Sequence, residues 1–437
     1  MRRRSIRLLV ALAAGAILFA ASCSTYRPAP LDEKALLADL RATRIEFPAD
    51  GLDPVQAVAL ALVRNPTLVA LRREHEIAEN VVLAEGAWRN PEFRPSLTNL
   101  ASTLNNPVAL ALGLRIFPAV PGEGDARVAR AKALDERVLA EIADREARIA
   151  AATKIAHANV VTLEEQLALA RIARTLHDRV VAMVSERVAA QASTRLDESL
   201  AILRREEIEN ENLSAAGRLE VARAELASLV GAAPDARIAV RKATSERALA
   251  ESGEAELEDA ALARRADLQA LKRQYEAQQQ SLRLAHLAHR PWPTFLEPEA
   301  RGDHTGHSFA LQAGIEIPIF STGSEEIAVE EARLRQVRDA YSARLHVVRG
   351  EIHVAAVRLR EEERRQRYQS DRMEPLLEQT EQLMQTVLEA GEVDVLKLVT
   401  IETRLLDARR DATQSWFDRE RARVEYELAT GTVFGTR

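Results

Sequence analysis

The chain has one cysteine among its 437 residues, which excludes an intramolecular disulfide and a thiolate metal cluster. Aromatic side chains are scarce, at 4%, so the composition favours long helices over a compact aromatic core. Basic residues are not in excess: 60 Lys and Arg face 66 Asp and Glu, a net charge of -6 that excludes an electrostatic footprint for nucleic acid. No Gly-rich phosphate loop, HExxH motif or Ser/His/Asp context occurs, so neither an enzyme nor a cofactor is expected. Glycine and proline are both missing from Asp125 to Ala216, and such a run cannot stay straight inside a globular domain.

What is present begins with an export signal. Arg2, Arg3, Arg4 and Arg7 form a basic start, and Leu8 to Ala20 an apolar stretch of about 13 residues, too short to span a bilayer. Ala20-Ala21-Ser22-Cys23 resembles a bacterial lipobox, with Ala20 where that pattern usually carries Leu. The resemblance implies cleavage after residue 22, a lipid anchor on Cys23 and, with Ser24 next, an outer-membrane destination. An ordinary signal with a bystander cysteine is the alternative. Cleavage removes those four arginines and takes the charge from -6 to -10, which argues against anionic polymer partners.

The remainder reads as a duplicated unit with a period of about 200 residues. Arg89-Asn90-Pro91 matches Arg290-Pro291, and Ile116-Phe117 matches Ile319-Phe320. Ala190-Gln191 matches Ala390-Gly391, Leu196-Asp197 matches Val393-Asp394, and Leu229-Val230-Gly231 matches Ala429-Thr430-Gly431. The expected divisions are 1–22 signal, 23–52 N-terminal extension, 53–231 first repeat, 232–253 linker, 254–431 second repeat and 432–437 tail. Each repeat reads helix, strand pair, very long helix, sharp turn, helix: a mainly α chain with a small β part.

Asp53-Pro54 is an N-cap with proline at the first helical position, and Pro66 should break the helix early. Val108, Leu110, Leu112, Leu114 and Ile116 alternate with Ala109, Ala111, Gly113 and Arg115. Phe309, Leu311, Ala313, Ile315 and Ile317 alternate with Ala310, Gln312, Gly314 and Glu316. Runs of about nine residues suit a tilted membrane strand, but alternation alone fits a half-buried soluble strand as well and favours it. Partner strands are expected near 93–100 and 294–301, interrupted by Pro95 and Pro298. Asp125 to Ala190 reads as one helix of about 100 Å, Gly323 to Ala390 as another with a kink at Pro375. The shorter helices, Asp53 to Trp88 with Thr194 to Val230 and Glu254 to His289 with Val393 to Thr430, would stack end to end to match them.

Leu60-Ala-Leu-Val-Arg-Asn-Pro66-Thr-Leu68, Ala266-Asp267-Leu268-Gln269, Ile317-Pro318-Ile319-Phe320 with Gly323, and Ala390-Gly391-Glu392-Val393-Asp394-Val395-Leu396 together resemble the TolC family of outer-membrane efflux proteins. The resemblance runs from about Leu52 to Gly431, although Arg115-Ile116-Phe117-Pro118 departs from the family order. It implies a homotrimer whose chains each give four strands to a 12-stranded outer-membrane barrel, continued by a helical tube through the periplasm. It overturns the preference for a soluble strand and turns the apolar rows to lipid, with Arg115 and Glu316 in the lumen. It further implies a periplasmic adaptor and an inner-membrane pump as partners. The rival reading is a lipid-anchored coiled-coil adaptor or scaffold without a pore.

The resemblance places contacts to the adaptor at the turns Ala190-Gln191-Ala192-Ser193 and Ala390-Gly391-Glu392. It places a gate of carboxylate rings at Asp394, where Lys397 stands in for the family's second carboxylate; Asp197 joins the candidates, although Thr194-x-x-Asp197 is also a capping box. Candidate metal pairs, His286 with His289 and His304 with His307 beside Asp303, have ligand spacing but lie where histidine is common, so no metal is expected. His157, His177, His346 and His353 are scattered on helices and carry no expected role.

Overall fold

The computed structural model describes residues 27–42, 45, 47–99, 108–242, 254–303, 306–317, 319, 322–389 and 395–434. The chain divides into a unit up to Ile45 and a unit from Glu46 onward. The first contains α1 (Glu33–Ala42), whose Ala35 amide donates to the Asp32 carboxylate at 3.0 Å. Everything below concerns the second.

Its order is α2 (Pro54–Arg64), α3 (Pro66–Glu85), β1 (Glu92–Asn99), β2 (Val108–Arg115), α4 (Glu123–Ala189), α5 (Arg195–Leu229), α6 (Glu254–Arg264), α7 (Ala266–Ala288), β3 (Pro293–Asp303), β4 (Gly306–Ile315), α8 (Ser324–Tyr368), a π-helical turn (Gln369–Met373), α9 (Glu374–Glu389) and α10 (Val395–Thr430). Pro66 ends α2 as expected, and the chain bends by 48° there. Pro375 acts one turn upstream of itself. Lacking an N–H, it cannot bond back to Asp371, and the helix widens into the π turn. The break at Arg265 is marked by no proline.

At 67 residues, α4 is about 100 Å long. It starts after Gly122, in the left-handed region at φ 84°, and carries Glu123 and Asp125 where the helix dipole favours acids. α3 and α5 lie along one flank of α4; α7 and α10 lie along the other, and α8 packs against both of them. The result is a row of four columns, two continuous and two assembled from shorter helices.

The assembled columns are joined the same way twice, 200 positions apart. Asn65 caps α3, accepting from the Thr67 and Leu68 amides at 3.0 and 3.3 Å. Its Nδ2 donates to the carbonyl of Leu229, at the end of α5, at 2.9 Å. Arg265 takes that place before α7, donating through Nη1 to the carbonyl of Ala429 at 2.9 Å. Past each end the chain turns at Gly231 (φ 71°) and Gly431 (φ 73°). A Cβ on Gly231 would lie 2.5 Å from the Arg64 carbonyl oxygen, so the close approach as well as the dihedral demands glycine. Each join sits in its own apolar core. Ala61, Leu68, Ala222 and Leu226 are buried in the first; Ala261, Leu268, Ala422 and Tyr426 in the second.

Candidate functional site: an inside-out sheet and a strained helical turn

The four strands form one antiparallel sheet in the order β1-β2-β3-β4. Among the described residues β1 and β4 each pair on one side only, which leaves both edges open. Pro95 sits in β1, where its missing N–H can face the open edge. Pro298 sits in β3, where it interrupts pairing with β2: the ladder runs from Leu110↔Gly302 to Gly113↔Glu299 and resumes only as the single bridge Ile116↔Leu296. Neither proline ends its strand.

The register sorts the side chains. Phe93 and Pro95 lie opposite Leu114 and Leu112; Leu296, Pro298 and Ala300 lie opposite Ala313, Leu311 and Phe309. That face is apolar and bare. Phe309 is 85% exposed and Leu311 72%, and Leu110, Leu112, Leu114 and Ile116 are exposed beside them. The opposite face is polar and is covered only at its centre, at Ala111, Gly113 and Glu297, while Arg94, Ala310 and Gln312 are exposed. Glu297 is only 5% exposed there, and its Oε2 accepts from Arg115 Nε at 2.7 Å and from Arg94 Nη1 at 3.3 Å. The Arg115 guanidinium stacks 4.0 Å above the Phe295 ring. Gly113 makes the room: a Cβ there would stand 2.6 Å from Glu297 Oε1. A half-buried soluble sheet covers its apolar side instead. Glu297 is absent from the sequence expectations because an acid inside a proline-bearing strand carries no signal of its own.

Glu316 is exposed just beyond β4. His307 is exposed on β4 opposite Gly302, whereas His304 lies outside the described residues. His286 points to solvent, and His289 Nε2 instead meets Glu326 at 3.2 Å. Among the described residues no three His, Cys, Asp or Glu side chains converge on one point, and no single helix is long and apolar enough to cross a membrane.

At the other end of α4 the chain reverses. The Ala192 amide donates to the Arg187 carbonyl at 2.8 Å and the Gln191 amide to that of Val188 at 3.0 Å, a Schellman closure. Gln191 holds its left-handed position at φ 60°. The corresponding residue in the other closures, Gly231 and Gly431, is glycine. Ala190, Gln191 and Ala192 are exposed, and Ser193 is half-buried. Thr194 then caps α5. Asp197 Oδ2 accepts from the Thr194 amide and hydroxyl at 2.9 and 2.8 Å and from the Ser193 hydroxyl at 2.9 Å. The Thr194 backbone bond, then the two hydroxyls, hold the Asp197 carboxyl below its ordinary range. The structure thus gives Asp197 the work of a helix cap. Lys397 is exposed in the first turn of α10. Ala390, Gly391, Glu392, Asp394 and the anchor candidate Cys23 lie outside the described residues.

Gln191→Gly should remove the left-handed strain, worth about 0.5–1 kcal/mol. Trypsin cleavage at the flanking Arg187 and Arg195 should slow by about 2–5-fold through reduced local opening. Unchanged or faster cleavage would show that the turn is not strained.

Two of the histidines without an expected role are buried. His157 Nε2 lies 2.8 Å from the Leu52 carbonyl, and burial pushes its imidazole below its ordinary range. His177 meets Glu402. Periodicity did not mark them, since each is a lone histidine within an Ala- and Leu-rich helix.

No family model and no curated protein matches the sequence. Solved structures do. CusC aligns over 95% of this chain and 99% of its own, with a TM-score of 0.72 and 16% identity. The outer membrane protein VceC from Vibrio cholerae aligns over 86% and 96%, with a TM-score of 0.70 and 19% identity. The MtrE outer membrane channel of Neisseria gonorrhoeae, in its open state, aligns over 87% and 89%, with a TM-score of 0.72 and 16% identity. With an exposed apolar sheet face at one end of the long helices and a tight helical turn at the other, the chain has the fold of the TolC-family outer-membrane channels.

Proposed function

We propose that this chain is a passive exit duct of the outer membrane, working as a homotrimer within a tripartite efflux or secretion system. The observation that carries the reading is the sheet. Its apolar face is bare, its polar face holds a buried ion pair at the centre, and both edges are unpaired among the described residues. Hydrocarbon tolerates such a sheet only when copies close it into a barrel with no free edge. Three copies supply twelve strands. Lipid meets the row of Leu110, Leu112, Leu114, Phe309 and Leu311, and the lumen meets Arg94, Arg115 and Glu297. The flanks of the helical row support association. Val69, Ile77 and Leu83 on α3, Leu203 and Leu213 on α5, and Val329, Val347 and Val354 on α8 are exposed.

In this reading residues 1–22 direct export, Cys23 carries the lipid anchor, 53–231 and 254–431 are the two repeats, and the turns at Ala190–Ser193 and Ala390–Glu392 meet a periplasmic adaptor that links the duct to an inner-membrane pump. Asp394 and Lys397 close the tip by pairing around the trimer axis. A pore-free scaffold accounts for the helices but leaves the sheet's apolar face without a use. Conductance in a planar bilayer tests the duct: discrete channels are expected, and replacing Asp394 and Lys397 with alanine should raise the conductance several-fold. A protein that passes no current ends the duct reading; channels with the same conductance in the double variant end the gate assignment alone.

A further inference from the structure

At the end of the sheet that joins the helices, two arginines lie over aromatic rings. Arg115 over Phe295 is one stack, and the Arg115 guanidinium is already bound to Glu297 at 2.7 Å. The other is Arg89, whose guanidinium carbon stands 3.5 Å from the centre of the Phe117 ring. Phe117 follows Arg115 by two residues, so the stacks are neighbours. Trp292 is held at the same place, its indole N–H donating to the Pro118 carbonyl at 3.1 Å. The segment before β1, the segment after β2 and the segment before β3 therefore meet at Phe117-Pro118. Their rings are not sealed off: Phe117 is half-buried, and Trp292 is 36% exposed.

The two stacks differ in what they leave over. Arg115 is half-buried and its charge is matched by Glu297. Arg89 is 66% exposed, and its one acid partner among the described residues, Glu92, is 47% exposed at 3.3 Å. An ion pair so open to water contributes little and yields readily to a better anion. With its plane set by Phe117, the guanidinium keeps N–H groups in a fork that matches a carboxylate. A ligand ring beside that carboxylate would meet the exposed parts of Phe117 and Trp292, where flat faces favour another aromatic. Glu92 stands opposite Arg115, on the face that carries Arg94 and Glu297, and Arg89 reaches that polar face through Glu92.

We propose that Arg89, Phe117 and Trp292 form a subsite for planar aromatic carboxylates at the base of the barrel, one in each chain. Its position in the lumen rests on the duct reading; its demand for a flat ring and a negative charge rests on the stacking geometry. A site on a route of passage must release what it binds, so a dissociation constant of about 1 mM is expected.

Saturation-transfer NMR with 2-naphthoate as the probe tests the subsite, on the full-length protein in phospholipid nanodiscs with the signal of empty discs subtracted. Saturable binding at about 1 mM is expected. Cyclohexanecarboxylate, which lacks the flat ring, and 2-naphthylmethylamine, which reverses the charge, should each bind about 5-fold more weakly. Arg89→Gln should weaken 2-naphthoate by about 5-fold and leave the amine unchanged. Equal binding of the three probes, or 2-naphthoate binding that Arg89→Gln does not alter, overturns the subsite. Should Arg89→Gln fail to assemble, Glu92→Gln decides: without the competing acid 2-naphthoate should bind about 3-fold more tightly, and unchanged or weaker binding overturns the proposal. The NMR signal needs no current. The expected preferences in a protein that passes no current fault the duct and leave the subsite; current without those preferences faults the subsite alone.

Discussion

Leu311→Arg should abolish assembly in the outer membrane while Gln312→Arg, one residue away, leaves it intact. Leu311 stands in the middle of β4 on the bare apolar face, opposite Pro298. A cation on the lipid side of a barrel strand near the bilayer midplane costs about 2–4 kcal/mol, which three copies raise to about 6–12 kcal/mol. Gln312 stands on the polar face, where its Nε2 donates to Glu299 Oε2 at 3.0 Å. An arginine there keeps an acidic partner and faces water. The measurement is the heat-sensitive oligomer band in outer-membrane fractions. Loss with Gln312→Arg and survival with Leu311→Arg would mean that the faces are assigned the wrong way round.

The same pair of residues shows how much of this structure was legible in the sequence. The strict alternation of Val108 to Ile116 and Phe309 to Ile317 marked both strands and sorted their faces, because period two is a local property of an extended chain. It did not say which face is left bare, since a soluble sheet writes the same pattern; the exposure of Phe309 and Leu311 shows that. The long helices were equally plain. From Asp125 onward α4 holds no glycine or proline to interrupt its hydrogen-bond ladder, and it ends within a residue of its expected limit. Pro66 and Pro375 marked their own disturbances. The misses share a cause. Arg265 breaks a helix with no proline, Glu297 is buried in a strand, and His177 finds Glu402 more than two hundred residues away. Each depends on a partner supplied by tertiary packing, which no local pattern encodes. The turn at residues 190–193 was placed correctly, but its strain was not visible, because the left-handed conformation of Gln191 follows from the closure around it.

The second join carries the other large effect: Arg265→Ala should destabilise the unit by about 3–5 kcal/mol, against about 1–3 kcal/mol for Asn65→Ala at the first. Asn65 offers one neutral amide bond to Leu229 and a cap to α3. Arg265 is buried and does more. Besides bonding Ala429, it pairs with Asp267 at 2.8 Å and Glu351 at 2.8 Å, and Arg344 reaches the same Asp267 at 2.7 Å. Burial alone would raise the Asp267 carboxyl; Arg265 and Arg344 outweigh it and bring it down to about 2. A carboxylate depressed in the folded state stabilises above its ordinary range, and that contribution is lost as pH falls through the folded value. For Asp267 it is present above about pH 4 and gone below about pH 2, and after solvent screening it is on the order of 1–2 kcal/mol. Removing Arg265 leaves Arg344 as the counter-ion, so the folded value rises and the acid limb should be smaller and end at higher pH. Denaturant unfolding followed by circular dichroism across this range checks both effects. Equal losses at Asn65 and Arg265, with an unshifted acid limb, would mean that the ion pairs around Asp267 contribute no more than the single amide bond does.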